Sequence, residues 1–195
     1  MFKLKDDLTG CLKDRNNHKE RIYKRFYGYA MAVIMRYLND RNDAEELVND
    51  CFIKIFKNIS QFNYPTDPAQ LDSAFRGWIA RISSRTAIDF LRTKKTFLYI
   101  EDVGPDNEPY TDINVISRLN AEDILKLLNA LPEIHRIIFN MYEIDGFSHD
   151  EISETLNIPV SSSRVYLTRA KTKLRSLYAK DINASCAAKR TYEIS

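Results

Sequence analysis

The chain has 195 residues, 44% of them apolar and 29% charged, with a formal net charge of +2. That length allows one large domain or two of about 80 residues, and nothing in it approaches the ~18 consecutive apolar residues of a membrane span. The start, MFKLKDDLTGCLKDRNN, lacks the apolar run of a secretory signal, so no membrane insertion and a cytoplasmic location are expected.

The cysteines Cys11, Cys51 and Cys186 lie far apart with no CxxC pair, and His18, His135 and His149 form no ligand pattern with them. No metal and no cofactor are expected, and an odd, scattered cysteine set suits a reducing compartment.

Helical periodicity opens the chain. Ile22, Phe26, Tyr29, Val33 and Tyr37 recur at spacings of three and four, as do Leu47, Cys51, Ile55 and Ile59. Asp43 is placed to cap the second of these helices, with Glu45 and Glu46 in its first turn complementing the helix dipole. Cys51 falls on the apolar stripe and reads as a core residue. A loop with Pro65 and Pro68 follows, and a third helix resumes with Phe75, Ile79, Ile82, Thr86 and Phe90 facing inward.

This third helix carries the first charge asymmetry. From Arg76 to Lys95 there are six basic residues and one acid, Asp89. At about 100° per residue, Arg81, Arg85 and Arg92 fall within a sector of about 40° opposite the apolar stripe. Trp78 stands at the edge of that sector. Cations beside an exposed aromatic suit single-stranded DNA, because phosphate is drawn to the one and an unstacked base can lie on the other. The plainer alternative makes Trp78 a core residue and the arginines partners of Asp89, but one aspartate cannot balance six cations.

The periodicity then fails. Residues 96–118 hold Gly104, Pro105 and Pro109, and between Glu101 and Asp112 there are five acidic residues and no basic one. That composition reads as a linker. A second helical block begins with Ile124, Leu127, Leu128 and Leu131 and continues through Ile134, Ile137, Ile138 and Met141. The reading is all-α: a helical domain over 1–95, a linker over 96–118, a second helical domain over 119–178 and a tail over 179–195.

Ser148-His149-Asp150-Glu151 is a capping box opening a short helix that turns Ile152 and Leu156 inward. Asn157-Ile158-Pro159-Val160 makes a turn, since Pro159 disfavours a helical conformation at Ile158. Ser161 or Ser162 is placed to cap a further helix whose inward face is Ser163, Leu167, Ala170, Leu174 and Leu177. Its other face is cationic: Arg164 to Arg175 contains five basic residues and no acid. A cap, a four-residue turn and one-sided charge describe a helix-turn-helix, whose second helix fits the DNA major groove. A solvated basic face on an ordinary helical hairpin is the alternative.

Three stretches together resemble the sigma-70 family of RNA polymerase sigma factors, extracytoplasmic-function group. They are Asp43-Ala44-Glu45-Glu46-Leu47-Val48-Asn49-Asp50-Cys51-Phe52; Phe75-Arg76-Gly77-Trp78-Ile79 through Ala87-Ile88-Asp89-Phe90-Leu91-Arg92; and Leu131-Pro132 through Gly146-Phe147-Ser148, Glu151-Ile152 and the helix-turn-helix. The resemblance implies a factor that catalyses nothing itself and brings core polymerase to promoter DNA. It assigns polymerase binding to Asp43, Glu45, Glu46, Leu47, Asn49 and Asp50. It assigns the −10 element and its opened strand to Arg76, Trp78, Arg81, Arg85, Arg92, Lys94 and Lys95. The −35 duplex falls to Ser161, Ser162, Arg164, Val165, Tyr166, Arg169 and Lys171. An anti-sigma factor is the implied inhibitory partner.

The sequence departs from the family pattern at Arg85, where an asparagine is frequent, and at Ser161-Ser162-Ser163-Arg164-Val165-Tyr166, where many relatives have Gly-Thr-Val-Lys-Ser-Arg. A −35 preference therefore does not carry over from relatives. Two other classes compete with this one. A free-standing helix-turn-helix regulator would have no use for the Arg81, Arg85 and Arg92 stripe, and an enzyme acting on nucleic acid would need clustered carboxylates or a metal constellation. The acidic residues instead sit at a helix start and in the linker.

Overall fold

The computed structural model describes residues 4–94 and 126–192, with side chains through Ala179. The chain divides into two compact units, Met1–Thr96 and Phe97–Ser195. No strand occurs among the described residues, and every element is helical. The expected linker and Lys95 lie outside the described residues.

Unit 1 is built from α1 (Leu4–Leu12), α2 (Asn16–Ile34), α3 (Arg41–Lys57) and α4 (Leu71–Thr93), with single 3₁₀ turns at Ile59–Gln61 and Pro68–Gln70. Helices α2, α3 and α4 pack against one another, and α1 covers one end of the group. The core draws Ile22, Phe26, Ala30, Val33 and Ile34 from α2, and Ala44, Leu47, Val48, Cys51, Phe52 and Ile55 from α3. Helix α4 buries a broad arc that includes Phe75, Ile79, Ala80, Ser83, Ser84, Ala87 and Ile88. Its small residues let the neighbouring helices approach closely. That arc is wider than the periodicity predicts, and Ile82 and Phe90 sit only half-buried at its edges.

Helix α1 has no counterpart in the sequence reading, and it is anchored by charge as well as by Leu4 and Leu8. Asp7, almost fully buried, accepts from Arg21 Nε at 2.7 Å and lies 3.0 Å from His18 Nδ1. Gly10 has the His18 ring against it so closely that a Cβ there would fall 2.1 Å from the ring carbon Cγ. No larger residue fits while His18 holds that place.

Helix α3 starts three residues earlier than a cap at Asp43 implies. Asp40, not Asp43, is the N-cap: its side chain accepts from the backbone N–H groups of Asn42 and Asp43 at 2.8 and 3.0 Å. Asp43 is thereby moved into the first turn.

In unit 2, residues 126–129 form a helical turn before Pro132, followed by α5 (Glu133–Phe139), which widens into a π turn over Asn140–Ile144. Gly146 (φ +72°) then reverses the chain, because a left-handed conformation costs glycine nothing. The capping box is present: Ser148 Oγ accepts from Glu151 N at 3.2 Å, and the Glu151 carboxylate accepts from Ser148 N at 2.9 Å. It opens α6 (His149–Leu156), which ends on Asn157 in the left-handed region. Helix α7 (Val160–Tyr192) starts directly after Pro159, so Ser161 and Ser162 lie inside its first turn and do not cap it. It also runs on through residues assigned to the tail. The core joins Ile137, Ile138, Phe139 and Met141 to Phe147, Ile152, Ile158, Leu167 and Ala170.

Candidate nucleic-acid interface

Helix α4 presents Arg81, Arg85 and Arg92 to solvent along one side, away from its buried arc. Asp89 is exposed among them. Trp78, one step around the helix, is half-buried: its ring lies 5.7 Å from Phe75 in a stacked arrangement and 5.5 Å from Phe62. One face of the indole therefore belongs to the aromatic cluster of Phe26, Phe62 and Phe75, and the ring retains exposed area beside the arginines. Trp78 is thus anchored in the core and part-exposed at its rim.

Two cations grouped with this stripe in the sequence belong elsewhere. Arg76 lies about 160° around the helix from the arginine stripe, on the side that meets α2. Its Nε donates to Asp72 at 2.6 Å, and its guanidinium stands 5.4 Å from the Phe26 ring and 5.1 Å from the Tyr29 ring. Asp72 also accepts from Arg25 at 2.7 Å, and these hydrogen bonds, that from Arg76 foremost, hold its carboxyl below the usual carboxylate range. Lys94 lies on the same side as Arg76. It pairs with Asp43 at 2.7 Å and sits 4.5 Å from the Phe90 ring. Both residues tie the unit together, and neither is part of the exposed arginine face.

The acidic surface is α3. Glu46 and Asp50 are exposed one turn apart, and Ile53 continues their line at 65% exposure, an apolar position that the sequence reading passed over. Asn49 accepts from Tyr23 Oη at 2.9 Å, and Glu45 accepts from Arg41 Nε at 3.0 Å. Leu47, assigned to the same surface by resemblance, is 5% exposed and packs in the core. Four residues from Asp43 and three from Asp50, it has turned about 40° from the one and about 60° from the other, toward the buried side.

In unit 2 the candidate reading helix is α7. Ser161, Arg164, Val165 and Thr168 are exposed along one line, and Ser163, Tyr166, Leu167 and Ala170 are buried on the opposite one. Tyr166 is thus a correction: it is 7% exposed, its ring 5.5 Å from His135, because it lies about 140° around the helix from Ser161 and its apolar ring fills the hairpin core. Lys171 is a second correction, since its ammonium pairs with Glu143 at 2.7 Å and fastens α7 to the π turn. Arg169 is half-buried at the margin of the face.

The start of α7 is positioned by a polar contact that the sequence reading did not anticipate. Buried Ser163 Oγ lies 2.9 Å from His149 Nδ1, and His149 stacks on Tyr142 at 4.4 Å. Burial, and after it the charges of Arg164 and Lys171, pushes the His149 imidazole below its ordinary range. The neutral ring joins the first helix of the motif to the second. No group of three or more metal-ligating side chains occurs among the described residues, and no described helix is long and apolar enough to cross a membrane.

The sequence matches the family description Sigma-70 region 2 over residues 22–97 and Sigma-70, region 4 over residues 121–174. It is 30% identical over 160 residues to the RNA polymerase sigma factor SigZ of Bacillus subtilis, covering 81% of this chain and 85% of that one. It is 27% identical to the ECF RNA polymerase sigma factor SigE of Mycolicibacterium smegmatis, covering 84% of this chain but 59% of that protein. Among solved structures it resembles the sigma factor RpoE in a co-crystal with the anti-sigma factor NepR from Bartonella quintana (16% identity, TM-score 0.48, covering 81% of this chain and 94% of that one). With region 2 in unit 1 and region 4 in unit 2, the chain belongs to the extracytoplasmic-function group of the sigma-70 family and is an RNA polymerase sigma factor that serves promoter recognition.

Proposed function

We propose that this sigma factor divides its work among three surfaces of different charge. Glu46 and Asp50, with Asp43, Glu45 and Asn49 beside them, form the acidic face of α3 that binds core polymerase. Arg81, Arg85 and Arg92, with the exposed part of Trp78, hold the −10 strand once it is opened. The outward line of α7, Ser161, Ser162, Arg164, Val165 and Arg169, reads the −35 element in duplex DNA. The chain recruits and positions and performs no covalent chemistry. It acts where the polymerase is, in the cytoplasm, and family membership makes an anti-sigma factor its proposed inhibitor.

The single observation that supports this division best is the separation of charge by face. On α3 the exposed line is acidic, on α4 it is arginine-rich, and on α7 cations border a line of small side chains. Phosphate attracts the second and third and repels the first. Each DNA contact is weak alone, and anchoring by polymerase raises the effective concentration of both.

Transcription from closed and pre-melted templates tests the division. Glu46→Lys with Asp50→Lys is expected to abolish polymerase binding and leave helical content unchanged, since both residues are exposed. Arg164→Ala is expected to impair only the closed template. Arg81→Ala with Arg92→Ala is expected to lower activity on both and to flatten the log–log salt slope by about 0.7 per lost phosphate contact on single strands. Undiminished polymerase binding by the α3 double variant, or equal impairment of Arg164→Ala on both templates, would remove the corresponding assignment.

A further inference from the structure

The outward face of α7 has an internal order that its net charge conceals. Taking Ser161 as the reference direction and about 100° per residue, Thr168, Thr172 and Val165 lie within about 40° of it. Arg164 and Lys171 lie about 60° and 80° to one side, and Arg169 about 80° to the other. The buried residues Ser163, Tyr166, Leu167 and Ala170 occupy the far side. The centre line of this face is therefore uncharged, with cations along both margins.

Val165 stands on that centre line with 45% of its surface exposed, an aliphatic side chain beside the exposed Arg164. Thr168, one turn on, donates its hydroxyl to the Arg164 backbone carbonyl at 3.0 Å. Its hydroxyl hydrogen is thereby used within the helix, and its methyl remains beside Val165 as an apolar group. A helix seated in the major groove brings its centre line to the base edges and its margins to the phosphates. Among the four bases only thymine presents a methyl group in that groove, and an aliphatic side chain is its partner.

On the reading of α7 as the −35 helix, we propose that Val165 is a specificity-determining residue that selects thymine through its C5-methyl group, next to a base pair whose guanine is read by Arg164. Arg164, about 60° off the centre line, is long enough to reach the neighbouring base edge, while Arg169 on the other margin meets the phosphate backbone and carries no sequence information. The centre line contributes shape and apolar contact, so the preference it imposes is for one or two thymines and does not extend along the element. Tyr166 takes no part, because its ring lies in the core.

Deoxyuridine differs from thymidine only by that methyl group and keeps the same base pairing, so it isolates the proposed contact. The probe is a promoter duplex selected by the reconstituted polymerase holoenzyme from a pool randomised across the −35 element. Each thymine in the selected element is replaced singly by deoxyuridine, and holoenzyme binding is measured by competition. One substitution is expected to weaken the wild-type holoenzyme about fourfold, the weight of one methyl group withdrawn from water. Val165→Ala is expected to bind the thymine and uracil duplexes equally, and Val165→Thr, which keeps a methyl at the same place, to restore the difference. Val165 is exposed and alanine is the better helix former, so folding is not at issue.

A selected element in which no uracil substitution changes binding, although Arg164→Ala still abolishes selection, would overturn the thymine assignment and leave α7 as the −35 helix. The assignment would equally fall if Val165→Ala kept the full uracil effect. A holoenzyme that assembles normally and selects no −35 sequence at all would overturn both the assignment and the reading of α7 beneath it.

Discussion

At the scale of single residues, Arg76 shows how a cation can leave a charge stripe without leaving its sequence neighbourhood. It is three turns or fewer from Arg81 and Arg85, yet it faces α2 between two aromatic rings and the Asp72 carboxylate. Arg76→Ala is expected to destabilise unit 1 by on the order of 1 kcal/mol, the combined worth of a half-exposed ion pair and cation–π contacts. Arg92→Ala should change stability little. Urea unfolding followed by Trp78 fluorescence separates the two, and equal stability of both variants would return Arg76 to the DNA-facing set. The helical period places Arg81, Arg85 and Arg92 together from sequence alone, and it also places Arg76 on the other side. Counting charge along the segment hid that, because net charge carries no direction. Tyr166 was missed for a related reason: it occupies a position where relatives carry a basic residue, and here an apolar ring on the same helix turns to the core.

At the scale of elements, the helix-turn-helix was legible where its signals are local. The capping box needs only Ser148 and Glu151, and the stop before α7 needs only Pro159. Helix α1 was not legible, because nine residues with a buried aspartate give little periodic signal, and the charge of Asp7 is tolerable only beside His18 and Arg21. The π turn at Asn140–Ile144 was also beyond reach, since no local residue pattern marks it; Glu143 within it pairs with Lys171 of α7, far along the chain.

The His149–Ser163 contact gives this element a pH dependence. The imidazole takes up a proton near its ordinary 6.5 when the chain is unfolded and only at lower pH when folded. His135 is displaced in the same direction, by burial and by Arg169. A histidine depressed in the folded state contributes its stability fully above the unfolded value and loses it as pH falls through the folded one. Amide exchange in α6 and the first turns of α7, corrected for intrinsic rates, is therefore expected to quicken as pH is lowered from 7 to about 5.5, while that of α3, which holds no histidine, holds steady. His149→Gln, which keeps a hydrogen-bonding group toward Ser163, should remove part of the effect. Exchange in α6 and α7 that does not respond to pH would show that the neutral ring does not hold the two helices together.

At the scale of the whole molecule, the acidic face of α3 and the last turn of α4 meet in unit 1. Lys94 and Asp43 are joined at 2.7 Å, 51 residues apart in the chain. Asp43 is one of the carboxylates proposed to meet basic groups on the polymerase. Lys94 is then an internal competitor: it occupies, within the chain itself, a place that the polymerase must take over. A half-exposed pair of this kind opposes its displacement by at most about 1 kcal/mol, so Lys94→Gln is expected to tighten polymerase binding by up to about fivefold. The gain should disappear in an Asp43→Asn background, and it should shrink at high salt, where both contests are screened. Unchanged or weaker polymerase binding by Lys94→Gln in an assembly titration would rule the competition out. A pair that would otherwise count as a minor brace of the fold thereby sets a ceiling on how tightly the factor holds its polymerase, and a ceiling of that kind favours exchange among factors that share one enzyme.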